Sequence, residues 1–273
     1  MDQSLYIVRD TVFGQEFGPK LVAALLGLVL VAWDRATQRR WDYLWVFVTG
    51  TVVWGGAEYA IQRRGIREMP SHLLLGHELP PVVAQLIQGA AEGATMAVMG
   101  VFVADRWLTR GHRVRAFIAF VVFGAALALS SWRATGVHGQ QVGSRREVFN
   151  TASLLFIALL LAISLGAAWR HPWCRTRLVA MFVAIVGLGA VWTVAQVIAG
   201  GRWVEVGSES AGGPLQHAGP ALTAAILGFD VVFEIAVVYL PFLAIPILLR
   251  LIRERPDGSN VGSVGSHTSG PAT

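Results

Sequence analysis

The chain has 273 residues, 54% of them hydrophobic and 14% charged, with a net charge of +5 and a mean hydropathy of +0.55. A soluble domain carries about 25% charged residues, so this composition excludes an ordinary water-soluble fold and points to an integral membrane protein. A single cysteine, Cys174, excludes a disulfide framework and a cysteine-built metal cluster; the modest charge, spread over short loops, suits lipid headgroups and not nucleic acid.

The N-terminal stretch mixes Asp2, Arg9, Asp10, Glu16 and Lys20. It lacks the basic, apolar, small-residue order of a cleaved signal peptide, so the first span reads as an uncleaved anchor. Apolar runs approaching the roughly 20 residues a bilayer requires recur at 19–33, 43–62, 80–104, 114–132, 151–169, 177–199 and 220–249. The predicted fold class is therefore all-α, a polytopic membrane bundle of seven transmembrane helices within residues 1–255. From 256 onward a Gly/Ser-rich run reads as a disordered tail. With the N-terminus outside, 13 of the 22 lysines and arginines fall in inside segments and 9 outside. That balance predicts an outside N-terminus and a cytoplasmic C-terminus, in a bacterial inner membrane. The longer connections, 63–79, 133–150 and 200–219, then all lie outside. Pro241 and Pro246 predict a kink in the last span.

Four spans carry a polar or aromatic stripe. Trp54, Glu58 and Gln62 repeat every four residues on the second; Gln85, Gln88 and Glu92 share a face of the third. The sixth places Trp192 and Gln196 four apart, and the seventh does the same with Asp230 and Glu234. An ionisable group inside a membrane costs about 2.5–3.5 kcal/mol on insertion scales, so such groups mark function by default. Glu58, Glu92, Asp230 and Glu234 are the candidate catalytic acids; Trp54, Gln62, Gln85, Gln88, Trp192 and Gln196 are candidate walls of a substrate cavity. Glu58 has Arg63 and Arg64 as possible ion-pair partners, whereas Glu92 has no cation within helical reach. Carboxylates gathered in an apolar cavity perturb one another's titration, leaving one to donate a proton and another to remove one. Gly89 and Gly93 form a small-xxx-small pair that predicts close helix packing.

Other chemistry is scarce. His72 and His77, with Glu78, are the weak candidates for a metal; no HExxH, GxSxG, P-loop or DDxxD run is present, and no cofactor is expected. The only lysine, Lys20, stands at the start of the first span, so a retinal Schiff base on the seventh is excluded.

Seven spans in a chain this short, with an acid in WGGAEY of the second (Glu58) and another in FDVVFE of the seventh (Asp230), resemble the integral-membrane terpene cyclases of meroterpenoid and indole-terpenoid biosynthesis. The resemblance implies that Glu58 and Asp230 are catalytic carboxylates that protonate an epoxide or terminal alkene of a polyprenyl chain and so start its cyclisation. Two features depart from that family: Trp54 stands four residues before Glu58 and not beside it, and Glu92 and Glu234 are additional acids. The expected function is thus a membrane-embedded enzyme acting on a lipophilic, isoprenoid-like substrate drawn from membrane lipid. The alternatives are a proton- or cation-coupled transporter using the same carboxylates, and a lipid- or helix-binding subunit using the Gly89/Gly93 face.

Overall fold

The computed structural model describes residues 4–138, 141–207 and 214–254; the tail from 256 lies outside them. Seven helices are long and apolar enough to cross a bilayer: Gly18–Gln38, Asp42–Arg63, Pro81–Leu108, Arg113–Ser131, Thr151–Arg170, Pro172–Ile198 and Pro220–Leu248. Local chemistry sets where several begin. The first, third, sixth and seventh carry proline in the opening turn, where a missing N–H breaks no helical bond. The fifth is capped by Asn150, whose side-chain oxygen accepts from the Ala152 backbone N–H at 3.0 Å.

The third and seventh spans form the centre, with 78% of their apolar stretches buried against 17% for the fourth. Phe47 of the second span, Val101 and Phe102 of the third, Ile185 and Leu188 of the sixth, and Phe242 and Leu243 of the seventh share one core. Glycines let the second and third spans touch. A Cβ on Gly89 would stand 2.3 Å from the Thr51 carbonyl oxygen, and one on Gly93 would stand 2.6 Å from the Trp54 Cβ.

Both central spans widen into π-helical turns, at Gly89–Ala94 and Asp230–Val237, and these turns hold Glu92, Asp230 and Glu234. In the seventh span Pro241 has no N–H to offer the Val237 carbonyl, and the ladder shifts register just upstream of it. In the third span the Ala90 carbonyl accepts both the backbone N–H and the hydroxyl of Thr95, the latter at 2.8 Å.

One end of the bundle adds something the all-α description does not include. Strands β1 (Ser4–Asp10), β2 (Arg67–Glu68), β5 (Val142–Glu147), β6 (Arg202–Gly207) and β7 (Gln216–His217) form an antiparallel sheet in the order β2-β5-β1-β6-β7. A short hairpin, β3 (Leu73–Leu74) with β4 (His77–Glu78), lies in the loop after β2. The N-terminal segment and all three long connections thus meet in one structure. Ile7, Arg9, Arg146, Val148, Arg202 and Val204 share the face toward the helices and are buried there, and Val8 and Asp10 on the other side of β1 are buried as well. The opposite face carries pairs such as Arg145 with the buried Glu205 at 2.9 Å. In the register, Arg9 stands opposite Arg202 and Arg67 opposite Arg146.

Candidate functional site: a side cavity beneath an arginine-lined sheet

The inner face of the sheet delivers one arginine from each of four strands, and every candidate acid meets at least one of them. Arg9 of β1 donates through Nη1 to both carboxylate oxygens of Glu92, at 3.1 Å each. Arg67 of β2 donates to Glu58. Arg146 of β5 donates to Asp230 at 2.8 Å and also to Glu234. Arg202 of β6 donates to Asp230, and reaches Thr193 Oγ1 at 3.1 Å and Gln196 Oε1 at 3.2 Å.

This adds one partner and overturns one expectation. Glu92, with no cation within helical reach, is met by Arg9, because the strand before the first span reaches a helix that follows it by 83 positions. Glu58 pairs with Arg67 and not with Arg63 or Arg64; Arg63 turns to Tyr59 instead, at 3.1 Å from its Nε. The acids therefore do not form a bare carboxylate cluster. They alternate with guanidinium groups in a low-dielectric layer, where breaking one partner of a pair is far costlier than in water.

The arginines titrate accordingly. Burial works to lower the pKa of Arg9 and of Arg146, but Glu92 and Asp230 outweigh it for the first, and Glu234 and Asp230 for the second, so both are raised. Arg202 goes the other way, to about 10, because burial dominates and the Arg9 and Arg146 charges oppose Asp230. All remain cationic at neutral pH.

The remaining predicted residues sort into flanking contacts. Trp192 lies beneath Arg9, whose guanidinium is 5.5 Å from the ring centroid. Gln88 accepts from Lys20 Nζ at 2.7 Å, and that ammonium also donates to the Gly14 carbonyl at 3.0 Å. Gln62 and Gln85 pair with each other at 2.9 Å and hold His72, whose Nε2 is 3.2 Å from each. His77 is exposed. Among the described residues no group of three or more His, Cys, Asp or Glu is arranged to hold a metal.

A cavity of about 310 Å³ opens on the side of the bundle. The second and fifth spans both pack on the seventh, and the cavity fills the gap between them. Ala57, Ile61, Ile66, Phe156, Ile157 and Val238 give it apolar walls, while Trp54, Glu58, Arg146 and Glu234 supply the polar groups. Gly56, Ala60 and Arg64 form an exposed rim. Glu58 is 0% exposed and Glu234 3%, yet Glu58 Oε2 and Glu234 Oε1 have no hydrogen-bond partner, and neither do Trp54 Nε1 and Arg146 Nε. Buried polar atoms are almost always paired, so four open ones on a single cavity need an explanation. Of the predicted acids, Glu58 and Glu234 line this cavity; Glu92 and Asp230 stand behind it, held by arginines.

No family model matches this chain, and neither the curated proteins nor the solved structures contain a match. The site must therefore be read from its own chemistry.

The residues that sequence reading passed over are the four strand arginines and Lys20. Their signal was present but weak. SRREV and RWVEV place arginine in phase with valine at every second position, and in LYIVR an unbroken apolar run ends on Arg9, in phase with Leu5 and Ile7.

Proposed function

We propose that this protein is an integral membrane enzyme that takes a lipophilic, isoprenoid-like substrate sideways from the bilayer and moves a proton on it with Glu58 and Glu234. One observation carries the reading: an apolar side cavity of about 310 Å³ that contains two buried carboxylates, each with an oxygen free of hydrogen bonds. Proton transfer needs a carboxyl group within reach of the substrate and not consumed by its surroundings. Glu58 and Glu234 line the cavity and each keeps an unpaired oxygen; both oxygens are closed off in this conformation, so a substrate engages them as the cavity opens. Asp230 keeps none, since one of its oxygens is taken by Arg146 and the other by Arg202. Its assignment shifts from acid to positioning group, holding Arg146 against Glu234. In the cyclase-like form of the reaction, Glu234 donates a proton to an alkene carbon or epoxide oxygen. The resulting cation is screened by the Trp54 ring and ends by losing a proton to Glu58.

Removing the buried cations from the loop census supports an outside N-terminus and a cytoplasmic C-terminus. Of the 9 lysines and arginines at the sheet end, Arg9, Lys20, Arg67, Arg146 and Arg202 are buried and cannot report loop charge to the membrane.

The test is untargeted mass spectrometry of lipid extracts from a polyprenyl-producing host expressing wild type, Glu58→Gln or Glu234→Gln at matched levels. A lipophilic product made by wild type, and reduced about a hundredfold in both variants, is expected. A product unaffected by either substitution rules the assignment out.

A proton- or cation-coupled transporter is the second reading. Its support is the π-helical interruption of both central spans at their acids. Cation-dependent thermal stabilisation that disappears in Glu92→Gln would favour it.

A further inference from the structure

Four buried, unpaired atoms of residues that line the cavity also specify the head of the molecule that enters it. Trp54 Nε1 and Arg146 Nε are donors, Glu58 Oε2 is the acceptor of the ionised base, and Glu234, as the protonated acid, both donates and accepts. A ligand group that completes this set has to accept and donate within the same small volume. Hydrocarbon does neither. An ether or ester accepts but leaves the Glu58 oxygen without a donor. A phosphate or diphosphate accepts strongly but would bring its charge against the fully buried carboxylate of Glu58. A hydroxyl does both: its oxygen accepts from the indole or guanidinium N–H, and its hydrogen is donated to a carboxylate.

Size and shape agree. A volume of about 310 Å³ is at the small end of ligand pockets, which run from about 300 to 1,000 Å³. It holds a head and the first part of a chain. The rest must leave through the exposed rim at Gly56 and Ala60, the side that a membrane would cover. Arg64, the cation of this rim, is exposed, so its charge is screened by water and headgroups and does not reach the polar groups inside.

We infer that the cavity between the second and fifth spans is a binding site for a long-chain lipid alcohol, whose hydroxyl lies among Trp54, Glu58, Arg146 and Glu234 and whose chain trails into the bilayer. This rests on the proposed enzyme's cavity and names its substrate class.

The decisive experiment is equilibrium binding to the full-length protein in lipid nanodiscs, followed by native mass spectrometry and thermal shift. The probes are geranylgeraniol, its methyl ether, its diphosphate and the parent hydrocarbon. The alcohol should bind at least about tenfold more tightly than each of the others, the loss expected when a charge-assisted hydrogen bond cannot form. Trp54→Phe, which keeps the ring and removes only the N–H, should weaken the alcohol by about fivefold or more and leave the hydrocarbon unchanged. Equal binding of alcohol and ether, or tighter binding of the diphosphate, overturns the inference. Tight alcohol binding without any product in the lipid extracts would sustain this site and refute the enzyme, so the two failures are distinguishable. If Glu234→Gln does not fold, the Trp54→Phe result and the ligand series still decide.

Discussion

Each end of the bundle holds a charge network, part-buried at one end and buried at the other, and only the buried one is left incomplete. At the end with the short turns, Arg177 of the sixth span donates to Asp105 at 2.7 and 2.8 Å and to Asp42 at 3.1 Å. Tyr43 adds its hydroxyl to Asp105 at 3.2 Å. No buried polar atom of these four residues lacks a partner. At the sheet end, the ion pairs between Arg67 and Glu58 and between Arg146 and Glu234 leave oxygens and N–H groups open beside a cavity. A saturated network ties the second, third and sixth spans together and has nothing left to offer a ligand. An unsaturated one retains groups that a ligand can engage. The contrast separates a structural staple from a site, although both are built from the same residue types.

The contrast is broken most forcefully by removing its cations. Arg146→Met strands Glu234 and leaves Asp230 with Arg202 alone, and Arg177→Met strands Asp42 and Asp105; each should cost about 3–5 kcal/mol, seen as a large fall in melting temperature or in folded yield. The folded fraction of Arg177→Met should keep wild-type activity, whereas that of Arg146→Met should not. Equal activity of both folded fractions would erase the distinction between the ends. Gly93→Leu comes next, because its Cβ would already lie 2.6 Å from the Trp54 Cβ. Overpacking of about 1–3 kcal/mol is expected, together with loss of activity as Trp54 is pushed toward the cavity.

Glu234→Gln sharpens the comparison from the other side. Arg146 keeps Asp230 as its counter-ion, so the stability loss should be only about 1 kcal/mol, in contrast to the large loss of product. A melting-temperature drop as deep as that of Arg177→Met would mark Glu234 as structural. The smallest effect concerns His72, which lies outside the spans. Burial lowers its pKa below the ordinary 6.5, against the opposing pull of Glu78. The folded state thus holds the imidazole neutral while the unfolded chain protonates it. Its contribution is complete above pH 6.5 and is lost as pH falls below that value. Melting temperature measured from about pH 7 to 5 should therefore decline more steeply in wild type than in His72→Gln; parallel curves would contradict this.

Much of the molecule was legible from sequence, for a local reason. A span is a continuous apolar run whose backbone bonds are satisfied within itself, so its presence does not depend on distant residues. The same holds for the stripes of Glu58 and Glu234, set by helical period, and for the close contact at Gly89 and Gly93. The tertiary structure alone decided what those stripes face. β1 pairs with β5 and β6 across most of the chain, Tyr6 opposite Glu147 and Glu205, and strands this short reveal their partner only when the helices bring their ends together. Arg9, Arg67, Arg146 and Arg202 look like ordinary loop charges until that pairing turns them inward. The division of labour among the acids followed from the same event. Asp230 and Glu234 are one helical turn apart, and only the position of Arg202 makes the first saturated and leaves the second with an open oxygen.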